Sequence, residues 1–459
     1  MRMPLTCLAA YKPRRNCEKP FSNRSITLKT VVYCVSGLMA LISQMTMASS
    51  NMNEEIQHSA LHAQFASQPI QFLHWWTSRG EVAAVREVHG VLGSAQIVLE
   101  SVPVEGAGGK MAKSILQARA IAGNPPDMAQ LEGPAIKSWA ALGFLHDVNK
   151  VAKENHWDQK LPPLLREIHR FNHEYVALPM TIHRLNWLWV NTQVLNRVDL
   201  PIPKTWPEMV TTFRQLKAKG IAPLAMGNEP WQVVQLFENI AFGLGGPAYY
   251  REAFIELDHE TLTSPITHEA LMIFRQISEI VLSDMPNQPW EDATQALLSG
   301  ERAFQISGDW VAGEILASEG EFPSRIQCYA TPARQAGFIY NIDSFAFFKK
   351  PTLDKWTVEE MVTLLSTPVF QARFNQRKGS LPAFQDVSLE GFNPCALQAR
   401  ADFKAAEQAG TLMPSVVDSM AVSPVIERAA SSELYRFFNH PEVKPEDVIL
   451  HMKNMKIGM

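Results

Sequence analysis

Two adjacent indoles, Trp75 and Trp76 in QFLHWWTSRGE, stand where an apolar, strand-like run gives way to polar residues. Neighbouring side chains on a strand point to opposite faces, so packing on one layer accounts for only one of them. The other is predicted to show a flat apolar surface at a strand end. That surface suits the CH-rich side of a sugar ring; it serves peptides and bases as well, and two layers of an α/β sandwich could instead bury one ring each. Other spacings that could do chemistry do not hold. EGAGGK offers Gly109-Lys110, but Met111 stands where a phosphate-cradling loop needs Ser or Thr, and no glycine lies five positions before Gly109. Its glycines are read as a tight turn close to a ligand. His58 and His62 share an i, i+4 helix face without an acidic or Cys partner, so no metal is predicted there. The sequence has no nucleophile elbow, zinc motif or dinucleotide fingerprint, and no cofactor is expected.

The elements that must position the indoles alternate. IQFLHWW reads as a strand, EVAAVREVHGVL as a helix with Val82, Val85, Val88 and Leu92 on one side, IVLESVPV as a strand, and KMAKSILQARAIAG as a helix ended by Gly123. This order predicts an α/β fold with parallel strands and helices on both faces of the sheet. PPDMAQLEG brings a short strand to the sheet edge where such folds hold ligands. From Glu174 onward EYVALPMTIHRLNWLWVN is extended and aromatic, and Thr205 caps the helix that follows. WEDATQALLSGERAFQISGDW reads as a helix leading into a strand, IYNIDSFAFFKK as one further strand, and FNQRKGSLPAF as a helix end with a turn.

The 459 residues are 46% hydrophobic and 19% charged, an ordinary globular composition with room for two or three lobes. Residues 1–48 differ. Basic Arg14, Arg15, Lys19, Arg24 and Lys29 precede the apolar run Val31–Ile42 and small residues at Ala48 and Ser49, the layout of a secretory signal peptide cleaved after Ala48. The run is shorter than the ~20 residues that span a bilayer, which disfavours a retained anchor. Residues 49–68 are polar and read as a flexible mature N-terminus. Removing 1–48 leaves 35 basic and 45 acidic residues, a formal charge of −10 that makes nucleic acid a poor partner. It also leaves two cysteines, Cys328 and Cys395, either a disulfide or two buried thiols.

Taken together, HWWTSRGE (74–81), AGNPPDMAQLEGPAIKSWAALGFL (122–145), ALPMTIHRLNWLWVN (177–191), KTWPEMV (204–210), ISGDWVAGE (306–314), NIDSFAFFK (341–349) and RKGSLPAF (377–384) resemble the periplasmic solute-binding proteins of ABC sugar importers, in particular the glucose- and mannose-binding cluster. The resemblance implies a type II periplasmic binding protein: two discontinuous α/β lobes, a hinge of crossing segments and an interlobe ligand cleft. The expected crossings lie near Pro179, Pro332 and Ser380, with residues 69–180 and 333–379 in one lobe and 181–332 and 380–459 in the other. It further implies a monomer in the periplasm that hands a small sugar to the permease subunits of an inner-membrane transporter. A sensory binding protein reporting to a chemoreceptor would share the same pocket.

A sugar needs flat apolar surface for its ring and charged or amide groups for its hydroxyls, because an unpaired buried hydroxyl costs ~1–3 kcal/mol. The expected aromatic surfaces are Trp75, Trp76, Trp231, Trp290 and Trp310, while Trp187 and Trp206 are assigned to the core. Glu81, Asp309, Asp343 and Lys378 are the expected charged partners, with Gln130, His183 and Gln232 as neutral ones. Asp309 in particular is expected to accept from two hydroxyls, and Glu81 could alternatively serve the first turn of a helix. A glycoside hydrolase also sets tryptophan beside carboxylates, so Glu81 with Asp309 or Asp343 is weighed as an acid and nucleophile pair and set aside. The resemblance also implies a Cys328–Cys395 disulfide. Finally, Phe384, Asp418 and Met226 replace an arginine and two histidines of the family pattern, which predicts a ligand other than glucose bound in the usual way.

Overall fold

The computed structural model describes residues 69–417 and 420–455. The leader, the segment 49–68, His58, His62 and Asp418 lie outside the described residues.

Across the first sheet the strands run Leu99–Pro103, Ile70–His74, Met128–Glu132, Asp343–Phe347 and Leu178–Pro179. The first three are parallel, as the alternation predicts, and the last two join antiparallel to their neighbours. Side chains alternate between two hydrophobic clusters, Phe72, Met128, Phe345 and Phe347 on one face and Leu73, Ala129, Ala346 and Phe348 on the other. Both faces are therefore covered by helices. The helix Arg79–Ser94 opens with a capping box: Ser78 Oγ accepts the Glu81 N–H, while Glu81 reaches back to the Ser78 N–H. Ala84, Val85, Val88 and Leu92 form its buried stripe.

The second sheet runs Ile326–Ala330, Trp187–Asn191, Arg302–Ser307 and Ala222–Leu224. Helices Trp206–Ala218, capped by Thr205, Pro230–Tyr250 and Pro265–Val281 pack around it. Trp187 and Trp206 are buried, as assigned. Cys328 on the edge strand is disulfide-bonded to Cys395 on the helix Pro394–Ala409.

Between these sheets lies a third, Leu381–Pro382, Thr181–Arg184, Phe338–Asn341 and Leu412–Pro414. Two buried single residues connect it to the first sheet. Met180 separates Leu178–Pro179 from Thr181–Arg184, and Ile342 separates Phe338–Asn341 from Asp343–Phe347. IYNIDSFAFFKK is thus two strands in different sheets rather than one. The chain leaves the second sheet after Ala330, joins the third at Phe338, and passes from the third to the first at Ile342.

Candidate functional site

Trp75 and Trp76 follow the carboxyl end of Ile70–His74, and backbone hydrogen bonds fix both. The Trp75 N–H donates to Gln130 Oε1 at 3.2 Å and the Trp76 N–H to His74 Nδ1 at 3.2 Å. Trp76 is buried against Phe72, Phe345 and Phe374 with one edge at a cavity, whereas Trp75 is the half-buried ring. Trp75 lies so close to Gly109 that a Cβ there would come within 2.6 Å of the ring, and a Cβ on Gly108 would sit 3.4 Å from Trp231. Both glycines have positive φ, so the loop passes between two indoles only because it lacks side chains.

The cavity has a volume of about 430 Å³. Nine of the residues expected at the site line it: Trp75, Trp76, Glu81, His183, Trp231, Trp290, Trp310, Asp343 and Lys378. Trp310 forms the centre of the second aromatic wall, its ring centroid 6.1 Å from Trp231 and 6.4 Å from Trp290. The Lys378 ammonium lies 5.4 Å from the Trp76 ring and 6.0 Å from Trp310, linking the two walls.

On the floor His183 joins two carboxylates, Nδ1 donating to Asp309 Oδ1 at 2.5 Å and Nε2 to Asp343 Oδ2 at 3.0 Å. Burial and the Lys378 charge oppose its protonation, but the Asp309 charge and the hydrogen bonds to Asp309 and Asp343 prevail and push the imidazole up to about 9. Burial likewise raises the Asp343 carboxyl, yet the His183 hydrogen bond and charge, with Lys378 and Gln130, hold it below the usual carboxylate range. Glu81 Oε1 accepts from Lys378 at 2.9 Å, and Oε2 accepts the Thr77 and Ser78 N–H groups. The helix-capping alternative for Glu81 and its cavity position therefore coexist.

Three expected residues do not line the cavity. Gln130 lies behind it, donating to Asp343 Oδ1 at 2.8 Å while holding the Trp75 backbone. Gln232 accepts from the Gly227 N–H and donates to Glu229. Asp309 lies outside the cavity lining, with one oxygen accepting from His183 and the other from the Arg184 N–H at 3.0 Å. The two family-pattern departures among the described residues also fall elsewhere. Phe384 is buried edge-on against Trp157, and Met226 is a core residue outside the cavity lining, so neither can select a ligand by contact.

Sequence reading missed Glu105, Glu132, Glu229, Glu291 and Asn341. Glu132 pairs with Lys113 at 2.6 Å and accepts from Asn341 Nδ2 at 2.8 Å, and burial raises its carboxyl despite Lys113. Its signal was available: Glu132 ends the strand assigned to the ligand edge and faces Asp343 in register. Burial, with the charges of Glu81 and Glu314, pushes the Glu291 carboxyl up to about 7 against a backbone hydrogen bond. No group of three or more candidate metal ligands occurs among the described residues.

The profile of the family described as bacterial extracellular solute-binding protein matches residues 100–350. The chain is similar to a protein of Mesorhizobium japonicum named "probable sugar-binding periplasmic protein", 32% identical over 378 residues that cover 82% of this chain and 90% of the relative. One of the same name from Brucella suis biovar 1 is 33% identical over 383 residues, covering 83% and 90%. Among solved structures, the bacterial solute receptor AcbH, reported to prefer β-D-galactopyranose exclusively, superposes with a TM-score of 0.70 over 85% of this chain and 98% of its own at 15% identity, a likeness of fold.

Proposed function

This chain belongs to the bacterial extracellular solute-binding proteins, and from that membership we propose that it captures a sugar reversibly in the periplasm and delivers it to the permease of an ABC-type importer. One observation carries the reading: a cavity of about 430 Å³ between two tryptophan walls, floored by buried charged groups. Indole faces offer the surface that a pyranose ring needs, and the floor offers fixed donors and acceptors for its hydroxyls.

The two lobes are assigned as 69–179 with 343–378 and 181–341 with 380–455, joined at Met180, Ile342 and Gly379. Rotation about these three short connections would open and close the cavity. Ligand that contacts both walls favours the closed state by its differential affinity for it. Residues 1–48 serve as the export signal and the mature protein acts as a monomer. Among the described residues no helix is long and apolar enough to cross a membrane.

The family is non-catalytic, and the floor fits that role. A glycosidase requires one carboxyl to give a proton and another to attack or activate water. Here Glu81 is held by Lys378 and two backbone N–H groups, and Asp343 by His183 and Gln130. Neither is free for such work.

A thermal-shift screen of mature protein against neutral mono- and disaccharides tests the reading, since a ligand at 100 times its Kd adds about 2.7 kcal/mol of stability. At least one sugar is expected to raise Tm, and Trp75→Ala to weaken that sugar's binding measured by calorimetry. Absence of binding across the screen, with the protein folded, would reject sugar capture.

A further inference from the structure

The cavity neutralises its carboxylates unevenly. On the floor Glu81 pairs with Lys378 at 2.9 Å, Glu132 with Lys113 at 2.6 Å and Asp343 with His183 at 3.0 Å. Glu105, Glu229 and Glu291 line the same cavity, and none of them forms an ion pair among the described residues. They come from separate segments: Glu105 from the loop after Leu99–Pro103, Glu229 from the residue before the helix Pro230–Tyr250, and Glu291 from the first turn of Trp290–Ser299. Negative charge therefore arrives from both walls. Helix N-termini offset part of the charge of Glu229 and Glu291, though each supplies only about half a positive charge, and Glu105 has no such help. Glu229 receives Trp231 Nε1 and Gln232 Nε2, both on the single oxygen Oε2.

A second observation points to an occupant that brings hydrogen-bond donors. Asn341 is 4% exposed and lines the cavity, and its Oδ1 has no donor while its Nδ2 is committed to Glu132. A buried acceptor without a partner is costly in the empty state and rewards a ligand that brings an N–H or O–H. An ammonium carries three donors and no acceptor, and its hydrogen bonds to carboxylates are about twice as strong as neutral ones. Carboxylates that line a cleft with low-dielectric walls also concentrate cations and repel anions.

We propose that this cavity selects a sugar bearing a protonated amino group, a hexosamine unit, over the matching neutral sugar, and rejects sugars bearing a carboxylate or phosphate. The inference rests on the sugar-binding reading above and names the chemical class of its ligand. The paired floor serves the neutral hydroxyls, and the three unpaired rim carboxylates receive the ammonium.

Calorimetry on the mature protein at pH 7.5 and low salt, where Glu291 is largely ionised, tests this. The probes are glucosamine, galactosamine and mannosamine, each beside its neutral hexose and its N-acetyl form, with the deacetylated chitobiose and cellobiose pair for a two-ring ligand, and glucuronic acid and glucose 6-phosphate as anions. At least one amine is expected to bind tenfold or more tightly than both its neutral parent and its N-acetyl form, with no heat from the anions. In the combined E105Q, E229Q and E291Q variant that ratio should fall below threefold; the single E105Q, on an exposed loop, gives a partial fall if the combined variant does not fold. A neutral parent bound as tightly as its amine overturns the inference and leaves sugar capture standing. An amine preference undiminished in the Gln variants overturns the assignment to the rim. Silence across the whole panel, neutral sugars included, overturns both readings.

Discussion

At the bottom of the cavity Glu81, Glu132, Asp343 and, behind it, Asp309 each face a cation, whereas at its mouth Glu105, Glu229 and Glu291 do not. The floor is buried, and a buried carboxylate without a partner would cost several kcal/mol, so its charges must be matched inside the protein. At the mouth Glu105 is exposed and carries its charge at little cost, Glu229 is half-buried and hydrogen-bonded, and half-buried Glu291 answers its missing partner with a carboxyl pushed up to about 7. Groups at the rim are thus available to a ligand's charge, while groups on the floor are largely committed to holding one another. The comparison teaches that lining a cavity and being free to bind are different properties. Asp343 and Glu291 both line it, but only Glu291 lacks a charged partner.

Breaking the floor should have the largest effect. His183→Ala leaves Asp309 and Asp343 buried without their shared cation and is expected to cost about 3–5 kcal/mol in urea denaturation. A loss below 1 kcal/mol would mean that water or rearrangement replaces the imidazolium and would dissolve the contrast with the rim. Reducing Cys328–Cys395, which closes a loop of sequence separation 67 away from the cavity lining, should cost roughly 4 kcal/mol in the chain-entropy model while leaving ligand Kd unchanged. A shifted Kd after reduction would show that the distal anchor and the floor are coupled.

The pH dependence sharpens the comparison next. The folded pKa of His183 lies near 9, above its unfolded value of 6.5, so its contribution is complete below pH 6.5 and is lost as pH rises through 9, about 3 kcal/mol in all. His74 has the opposite sign. Burial, with a small push from His89, lowers it to about 4, so its contribution is complete above pH 6.5 and lost as pH falls through 4. Denaturation curves from pH 3 to 10 should therefore fall at both ends, and the alkaline fall should vanish in His183→Asn. Smallest of all, Glu229→Gln at the rim should change stability by no more than ~0.5 kcal/mol. A larger loss would move Glu229 from the free rim to the committed floor.

Much of this was legible along the chain. Alternating apolar runs announced a sheet covered on both faces, and Thr205 and Gly123 marked helix ends that the structure contains. The indoles and charged residues in the family-like stretches named seven of the cavity's lining residues, and Trp231 and Trp290 were named from outside those stretches. Adjacent positions explain some of the misses. Asn341 stands two residues before Asp343 and Glu291 directly after Trp290, so strand and helix geometry carried the neighbours of recognised residues into the same space. Phe384 shows the converse. A departure from a family pattern suggested recognition, and the fold used the ring to pack on Trp157.

The sequence by itself determined what local periodicity, capping and composition encode: the α/β layering, the indoles at a strand end, the acidic chain and the candidate cysteine pair. Only the tertiary structure decided which charges are spent. Asp309 lies 126 positions from His183 and Lys378 lies 297 from Glu81, yet each pair meets within 3 Å. The sheet change at Ile342 places Asn341 and Asp343 on either side of a joint, one beside His183 in the third sheet and the other beside Glu132 in the first. The reason is that electrostatic and hydrogen-bond energies depend on distance and burial in space, which separation along the chain does not specify.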